Sequence, residues 1–293
     1  MKRVVLKYLV VAALLAVFTS CQKDNDAKKQ MTMITSKSDE VSIYMAGSGT
    51  FTIDWDDGSE IETFTLCEFD DAWWWTSSDM WKYTYSHNYD YSDKSSHTIN
   101  VTGENITHLL CDEIKLISLD VSKNTSLTYL ICFVNQLKKL DVSKNTALTI
   151  LHCNWNELTS LDVSKNTALE ILNCDVNQLS NLDVSKNTAL TTLSCVGNHL
   201  TNLDVSKNIA LDQLYCYMNR LTSLDVSKNV TLTALYCHFN NLTSFSLNAL
   251  FATLQDNDNV TYYGTGSKYI VIDEVECDRN IAENKGWTFL SID

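Results

Sequence analysis

Proline is missing from the 293-residue chain, and only eight glycines occur, of which Gly197 alone falls between residues 106 and 252. Without proline no N–H is lost to a ring, which suits a backbone whose amides are committed to hydrogen-bonded ladders. Without glycine, any left-handed bend has to be made by another residue. Asparagine is the usual substitute, so the recurrent asparagines are predicted to sit in the bends. Blocks of Lys and Arg are absent as well, and the formal charge is −14, which excludes phosphate-backbone binding and hence a nucleic-acid partner. No G-x-S-x-G occurs. The histidines at 87, 97, 108, 152, 199 and 238 show no metal-ligand spacing, and acid pairs such as Asp56-Asp57 fall in turn-like sequence. The expectation is no enzyme, no cofactor and no metal.

Apolar runs are scarce beyond the first twenty residues. There, Lys2 and Arg3 precede a stretch from Val4 to Phe18 broken only by Lys7 and Tyr8, then Thr19-Ser20 and Cys21. The stretch is too short for a good spanning helix and has the form of a secretory signal. Small residues directly before a cysteine resemble the lipobox of bacterial lipoproteins, with Phe18 where leucine is usual. The resemblance implies a signal over 1–20, lipid on Cys21, and anchoring to the outer membrane. The following QKDND resembles an export tag that places such proteins on the cell exterior. Removing Lys2, Arg3 and Lys7 takes the formal charge from −14 to −17, a surface that stays soluble beside its membrane. Residues 21–38 are polar and are predicted to be a tether.

What the chain has in abundance is a repeat. From Ile106, segments begin again at Leu127, Leu148, Leu169, Leu190, Leu211 and Leu232, each 21 residues after the last, and each has a cysteine in the same slot, from Cys111 to Cys237. Leu148-x-x-Leu151-x-Cys153-x-x-Asn156 is followed by Leu158-x-x-Leu161-x-Val163-x-x-Asn166, so each segment holds one pattern twice. This resembles the nested leucine-rich repeats of the irreko class. A mainly β solenoid of about seven coils is expected over 106–252, with two short strands per coil and two parallel sheets, roughly 34 Å long at one strand spacing per coil. Neither half has room for a long helix. Inward asparagines at the end of each half-coil are expected to satisfy backbone groups left over by the bends.

The matching slot of the other half-coil holds valine (Val121, Val142, Val163, Val184, Val205, Val226), so the cysteines are predicted to be small buried side chains with free thiols. Stacked in register they stand about one strand spacing apart, too far for easy disulfides, and they do not converge as zinc ligands do. Asp120, Asp141, Asp162, Asp183, Asp204 and Asp225, each followed three residues on by lysine, read as a solvated charge ladder; a calcium-binding row is the alternative.

Residues around LDVSKN barely change between copies, whereas those around the cysteine change at every coil. The variable letters are rich in rings, and rigid aromatic side chains give large contact area at low entropic cost. Phe133, Trp155, Tyr215, Tyr217, Met218, Tyr236, His238 and Phe239 are therefore the candidate ligand-binding residues, the alternative being that they pack against a terminal cap. Before the repeats, residues 39–105 read as a small β unit. FTIDWDDGS (51–59), YSHNY (85–89) and HTINVTG (97–103) resemble the PKD-type β-sandwich, with Asp56 where that pattern has glycine. Trp73, Trp74, Trp75 and Trp81 lie in an apparent insert; exposed they would stack on sugar rings, folded inward they would cover the first coil. After Leu242 the pattern decays through FSLNALFATL (245–254), read as a short helix, and residues 253–293 read as a C-terminal α/β cap with strands in KYIVIDEVE and WTFLSI. The sequence thus predicts a lipid-anchored surface protein that binds a macromolecule along its variable strand face, a protein partner and an adhesin-like role being favoured. The alternative is a glycan-binding accessory lipoprotein of a polysaccharide-uptake system that uses the tryptophans and tyrosines.

Overall fold

One long strand joins the two parts of the molecule. The computed structural model describes residues 29–68, 83–89, 95–256 and 268–291. β1 (Gln30–Thr35), β2 (Glu40–Asp54), β3 (Glu62–Thr65), β4 (Thr84–Asn88) and β5 (His97–Leu110) come first in the chain. β5 is antiparallel to β1 over His97–Thr102 and to β2 over Asn100–Leu110, and its last three residues, His108 to Leu110, also pair in parallel with β7 (Tyr129–Ile131). The N-terminal unit and the repeats therefore share one sheet: the end of β5 is the strand of the first coil, and β2 covers its outer edge through Tyr44–Ala46. β2 makes its bend against β5 at Gly47, where φ is 151° and a Cβ would lie 1.9 Å from the Asn105 carbonyl oxygen, a close approach that only glycine permits. Trp55 stacks on His87 at 5.0 Å, and His87 Nε2 meets Asp57 Oδ2 at 2.6 Å, tying the 56–59 turn to β4.

β1 corrects the tether expected over 21–38. Met31, Met33 and Thr35 are fully buried, and the strand lies between β5 and β6 (Leu116–Asp120). Composition marks QMTMIT as polar, but its alternation of methionine with threonine is a half-buried strand pattern. Residues 1–28, with the signal and Cys21, lie outside the described residues, as do 69–82, with Trp73, Trp74, Trp75 and Trp81.

From β5 the ladder continues in parallel through β7, β8 (Ile150–His152), β9 (Ile171–Asn173), β10 (Thr192–Ser194), β11 (Gln213–Tyr215), β12 (Ala234–Tyr236), β13 (Lys268–Val271) and β14 (Trp287–Phe289). The register is set by the central residue: Leu130, Leu151, Leu172, Leu193, Leu214 and Leu235 stack directly, all fully buried. The leucines, valines and seven cysteines form one continuous core with the apolar side chains of the N-terminal unit and the cap. A single coil exposes this surface on both sides, so only stacking buries it.

The second parallel sheet does not form. The half-coil containing Leu161-Asp162-Val163 carries no strand, and its residues from Asp162 on are spent on turns; the matching segment of the first coil, Leu116–Asp120, is a strand through its pairing with β1. Asp162 Oδ1 accepts from Ser164 N at 2.9 Å, Val163 O accepts from Asn166 N at 3.0 Å, and Asn166 O accepts from Leu169 N at 3.1 Å. These turns leave few backbone groups for a neighbouring coil, and the side chain of the next asparagine takes the remaining carbonyl capacity: Asn187 Nδ2 donates to Val163 O at 2.9 Å and Asn166 O at 2.8 Å.

At the C-terminal end α1 (Ser244–Thr253) starts from a capping box in which the Thr243 and Ser246 side chains serve each other's backbone amides. It lays Leu247, Leu250 and Phe251 on the last coil. Its free carbonyls are met from the cap: Lys285 Nζ donates to Ala252 O at 2.8 Å and Leu254 O at 2.7 Å, and Trp287 Nε1 donates to Gln255 O at 3.0 Å. α2 (Asn280–Glu283) precedes Gly286, whose φ of 78° turns the chain into β14.

Candidate functional site

The variable letters occupy three columns around the ladder cysteines, of which the last is strained. Coil by coil it holds Val134, Trp155, Val176, Gly197, Met218 and Phe239, with φ between 47° and 63°. Left-handed backbone at a β-branched or aromatic residue costs about 1–2 kcal/mol. This overturns the expectation that asparagine makes the bends: the left-handed residue is the one before it, and the asparagine holds the bend in place. Asn156 shows how. Its Nδ2 donates to Cys132 O at 2.9 Å, Cys153 O at 3.1 Å and Asn154 O at 3.3 Å, while its Oδ1 accepts from Leu137 N at 2.9 Å. The amide of the strained residue is fixed from the other side, as Trp155 N donates to Asp175 O at 2.8 Å. A bend determined this tightly can carry almost any side chain, and its tip points large apolar groups at solvent: Trp155 is 57 % exposed, Met218 52 % and Phe239 51 %.

The strain is measurable. Val176→Gly removes it, less the entropy that glycine adds to the unfolded chain, and the expected result is a gain of about 1 kcal/mol in chemical denaturation. Gly197→Val is expected to lose a similar amount. A loss on Val176→Gly would mean that the bend carries no strain.

Of the predicted residues, Trp155, Met218 and Phe239 stand exposed, and Phe133, Tyr215, Tyr217 and Tyr236 are half-buried. Tyr215 and Tyr236 stack at 5.0 Å, so the rings of successive coils form a ridge. His238 departs from its expected role as a contact residue. It is 7 % exposed, stacked on Tyr217 at 4.4 Å and edge-on to Phe239 at 4.9 Å, and burial pushes its imidazole below the usual range, so it supports the ridge as a neutral ring.

Sequence reasoning missed a notch beside this ridge, about 310 Å³ in volume. Its near wall is Tyr215 and Tyr217, its far wall His152, Asn173 and Asp175, and its floor the small residues Ser194 and Val196 of the coil between. Asp175 Oδ1 accepts from Ser194 Oγ at 2.6 Å and from Val196 N at 2.7 Å. Burial raises its carboxyl above the ordinary range against the pull of these bonds. His152 is likewise pushed down by burial and is held neutral. The signal in the sequence is a lapse: one coil has Ser194, Val196 and Gly197 where the next has Tyr215, Tyr217 and Met218.

The remaining columns are uniform. The seven ladder cysteines are free and fully buried. Burial pushes every thiol up, Cys153 and Cys237 to about 12. Several also donate across to the next coil, as Cys174 Sγ does to Ser194 O at 3.5 Å, a bond that the valines of the other half-coil cannot make. On the other half-coil, hydrogen bonds from the serine two residues on hold the exposed carboxyls of Asp141, Asp162, Asp183 and Asp204 below the usual range. They are turn-forming side chains in solvent, and no cluster of metal-ligating groups is present among the described residues.

The chain is similar in structure to the functional domain of InlJ from Listeria monocytogenes, described as including a cysteine ladder, with 39% identity over 64% of this chain and a TM-score of 0.52. The fold is a leucine-rich-repeat solenoid. This solenoid chain spans 39% of that protein's length. It is also similar to the internalin InlF from Listeria monocytogenes, at 19% identity and a TM-score of 0.47, over 64% of this chain and 60% of that one. A leucine-rich-repeat protein of Leptospira interrogans matches at 20% identity and a TM-score of 0.44, over 58% and 50%. No protein-family model and no curated protein sequence matches the chain. Among the described residues no helix is long and apolar enough to cross a membrane.

Proposed function

We propose that this chain is a lipid-anchored, non-enzymatic surface protein of the outer membrane that binds a protein partner, in adhesin-like fashion, through the variable strand face of its repeats. The observation that carries the reading is the contrast between columns. Inward leucine, cysteine and asparagine repeat at every coil, while the outward columns beside the cysteine vary from coil to coil and expose Trp155, Met218 and Phe239 on strained bends. A fold gains nothing from large apolar groups held in water on costly backbone, whereas a binding surface does. Anchoring through Cys21 would leave the solenoid outside the cell with this face free, and an N-terminal β unit that starts with β1, repeats over 106–252 and a cap over 253–293 fit a capped rod on a short lead.

The test is capture by the detergent-solubilised mature chain of proteins from candidate host or neighbouring cells, against two variants. Trp155→Ala with Met218→Ala and Phe239→Ala is expected to lose about 10- to 100-fold in affinity for the captured partner, while Asp162→Asn with Asp183→Asn leaves it unchanged. Capture that survives the first set and fails with the second would overturn the reading. Retention of glycans that depends on Trp74, with no dependence on the strand face, would favour the glycan-binding alternative.

A further inference from the structure

The notch has a chemistry of its own, and it rests on the strand face being the binding surface. The acceptor sites of Asp175 are unequally used. Oδ1 takes two hydrogen bonds, from Ser194 Oγ and Val196 N, which fills its lone pairs. No cation among the described residues lies within ion-pair distance of the carboxylate. A half-buried carboxylate with a fixed orientation and no counter-ion is costly to hold, and its cost falls when a cation arrives. Nothing in the notch supplies one. His152 is neutral, and the other lining groups, Asn173, Thr192, Ser194, Tyr215 and Tyr217, carry no positive charge.

The dimensions narrow the choice of cation. The Asp175 carboxylate reaches over the coil of Ser194 and Val196, with Oδ1 2.7 Å from Val196 N, so the next coil, with Tyr215 and Tyr217, stands about one strand spacing, roughly 5 Å, beyond it. A planar guanidinium on an unbranched stem fills that gap, with an N–H on the carboxylate and its face on a tyrosine ring. The floor is small by choice of sequence. The slot of Val196 holds Phe133 and Tyr217 in other coils, and the slot of Ser194 holds Tyr215 and Tyr236, so the framework accepts a ring at either position and this one coil leaves the space open. With a chain of formal charge −14 around it, the notch draws basic side chains by long-range attraction as well.

We infer that the notch between Asp175 and the Tyr215–Tyr217 wall is a specificity pocket for an arginine side chain of a basic protein partner, with Asp175 as its anion, the tyrosines as its stacking wall, and Ser194 and Val196 as its floor. Ser194 and the Val196 amide are positioning groups, since they hold Oδ1 and leave Oδ2 to the ligand.

The probe is a pentapeptide, acetyl-Gly-Gly-Arg-Gly-Gly-amide, titrated by isothermal calorimetry into the full mature chain in detergent, beside the same peptide with citrulline, which keeps the shape and loses the charge. The arginine peptide is expected to bind at least about tenfold more tightly than the citrulline one. Asp175→Asn keeps an acceptor for Ser194 and Val196 and is expected to erase that preference. Val196→Tyr closes the floor with a side chain this slot already carries elsewhere, and is expected to lower binding of the arginine peptide by about the same factor. Asp162→Asn, which removes a similar charge from the other half-coil, should change nothing. Equal binding of the two peptides, or equal losses from Asp175→Asn and Asp162→Asn, would overturn the pocket, the second by showing diffuse attraction. If a protein partner is still lost with the Trp155, Met218 and Phe239 variant while the peptide shows no preference, the pocket falls and the strand face stands. If both fail, so does the reading beneath them.

Discussion

Asn177→Ala is expected to destabilise the solenoid by about 3–5 kcal/mol, and Asn187→Ala by about 1–2 kcal/mol, although both asparagines are buried and both sit at the end of a half-coil. The difference lies in what each leaves behind. Asn177 Nδ2 donates to Cys153 O, Cys174 O and Asp175 O, all at 3.1 Å, and its Oδ1 accepts from Leu158 N at 2.9 Å. Removing the amide strands the buried Leu158 N–H and loosens the left-handed bend at Val176. Asn187 donates to Val163 O and Asn166 O, but each of those carbonyls keeps a backbone partner, Asn166 N and Leu169 N. Its own Oδ1 has no hydrogen bond, so truncation also removes an unsatisfied acceptor. Urea denaturation of the two variants beside the wild type measures the gap. Equal losses would mean that the asparagines act only as volume and that the backbone accounting is wrong.

This asymmetry separates what the letters could tell from what they could not. Inward positions were legible because burial imposes its own period: a residue that points into the stack at one coil must do so at every coil, so leucine, valine, cysteine and asparagine recur at 21 residues. Both asparagine columns read alike, yet they hold different groups, because the distinction lies in which carbonyls turns have already taken. The same cause hid the missing sheet. Leu161-Asp162-Val163 alternates as a strand should, and the bonds from Ser164 N to the Asp162 carboxylate and from Asn166 N to Val163 O show that the chain turns there. The strained column was hidden by local preference, since valine and tryptophan are poor choices for left-handed backbone. There the ladder bonds on both flanks outweigh propensity. The notch was harder still, being made of what Ser194, Val196 and Gly197 lack.

The cysteine ladder yields the second large effect. Cys111, Cys132, Cys153, Cys174, Cys195, Cys216 and Cys237 are fully buried in the stack, and burial disfavours the thiolate that alkylating reagents need. Modification therefore requires a coil to open, and interior coils open only with their neighbours. Cys67, exposed and free, serves as an internal reference in the same molecule. Cys153 and Cys174 at the centre are expected to react at least about 10³-fold more slowly than Cys67, and Cys111 and Cys237, nearest the ends, to lead the other five as denaturant is added. In full denaturant all seven become available together with Cys67 and Cys277.

Residue-resolved alkylation of the native chain, read by mass spectrometry, tests the stacked-coil account most directly. It predicts rapid labelling of Cys67, slower labelling of the half-buried Cys277, and seven protected thiols that appear as free sulfhydryls on unfolding. Rapid labelling of the central cysteines in the native protein, or their recovery as disulfides, would contradict a dry core of unlinked thiols running the length of the repeats.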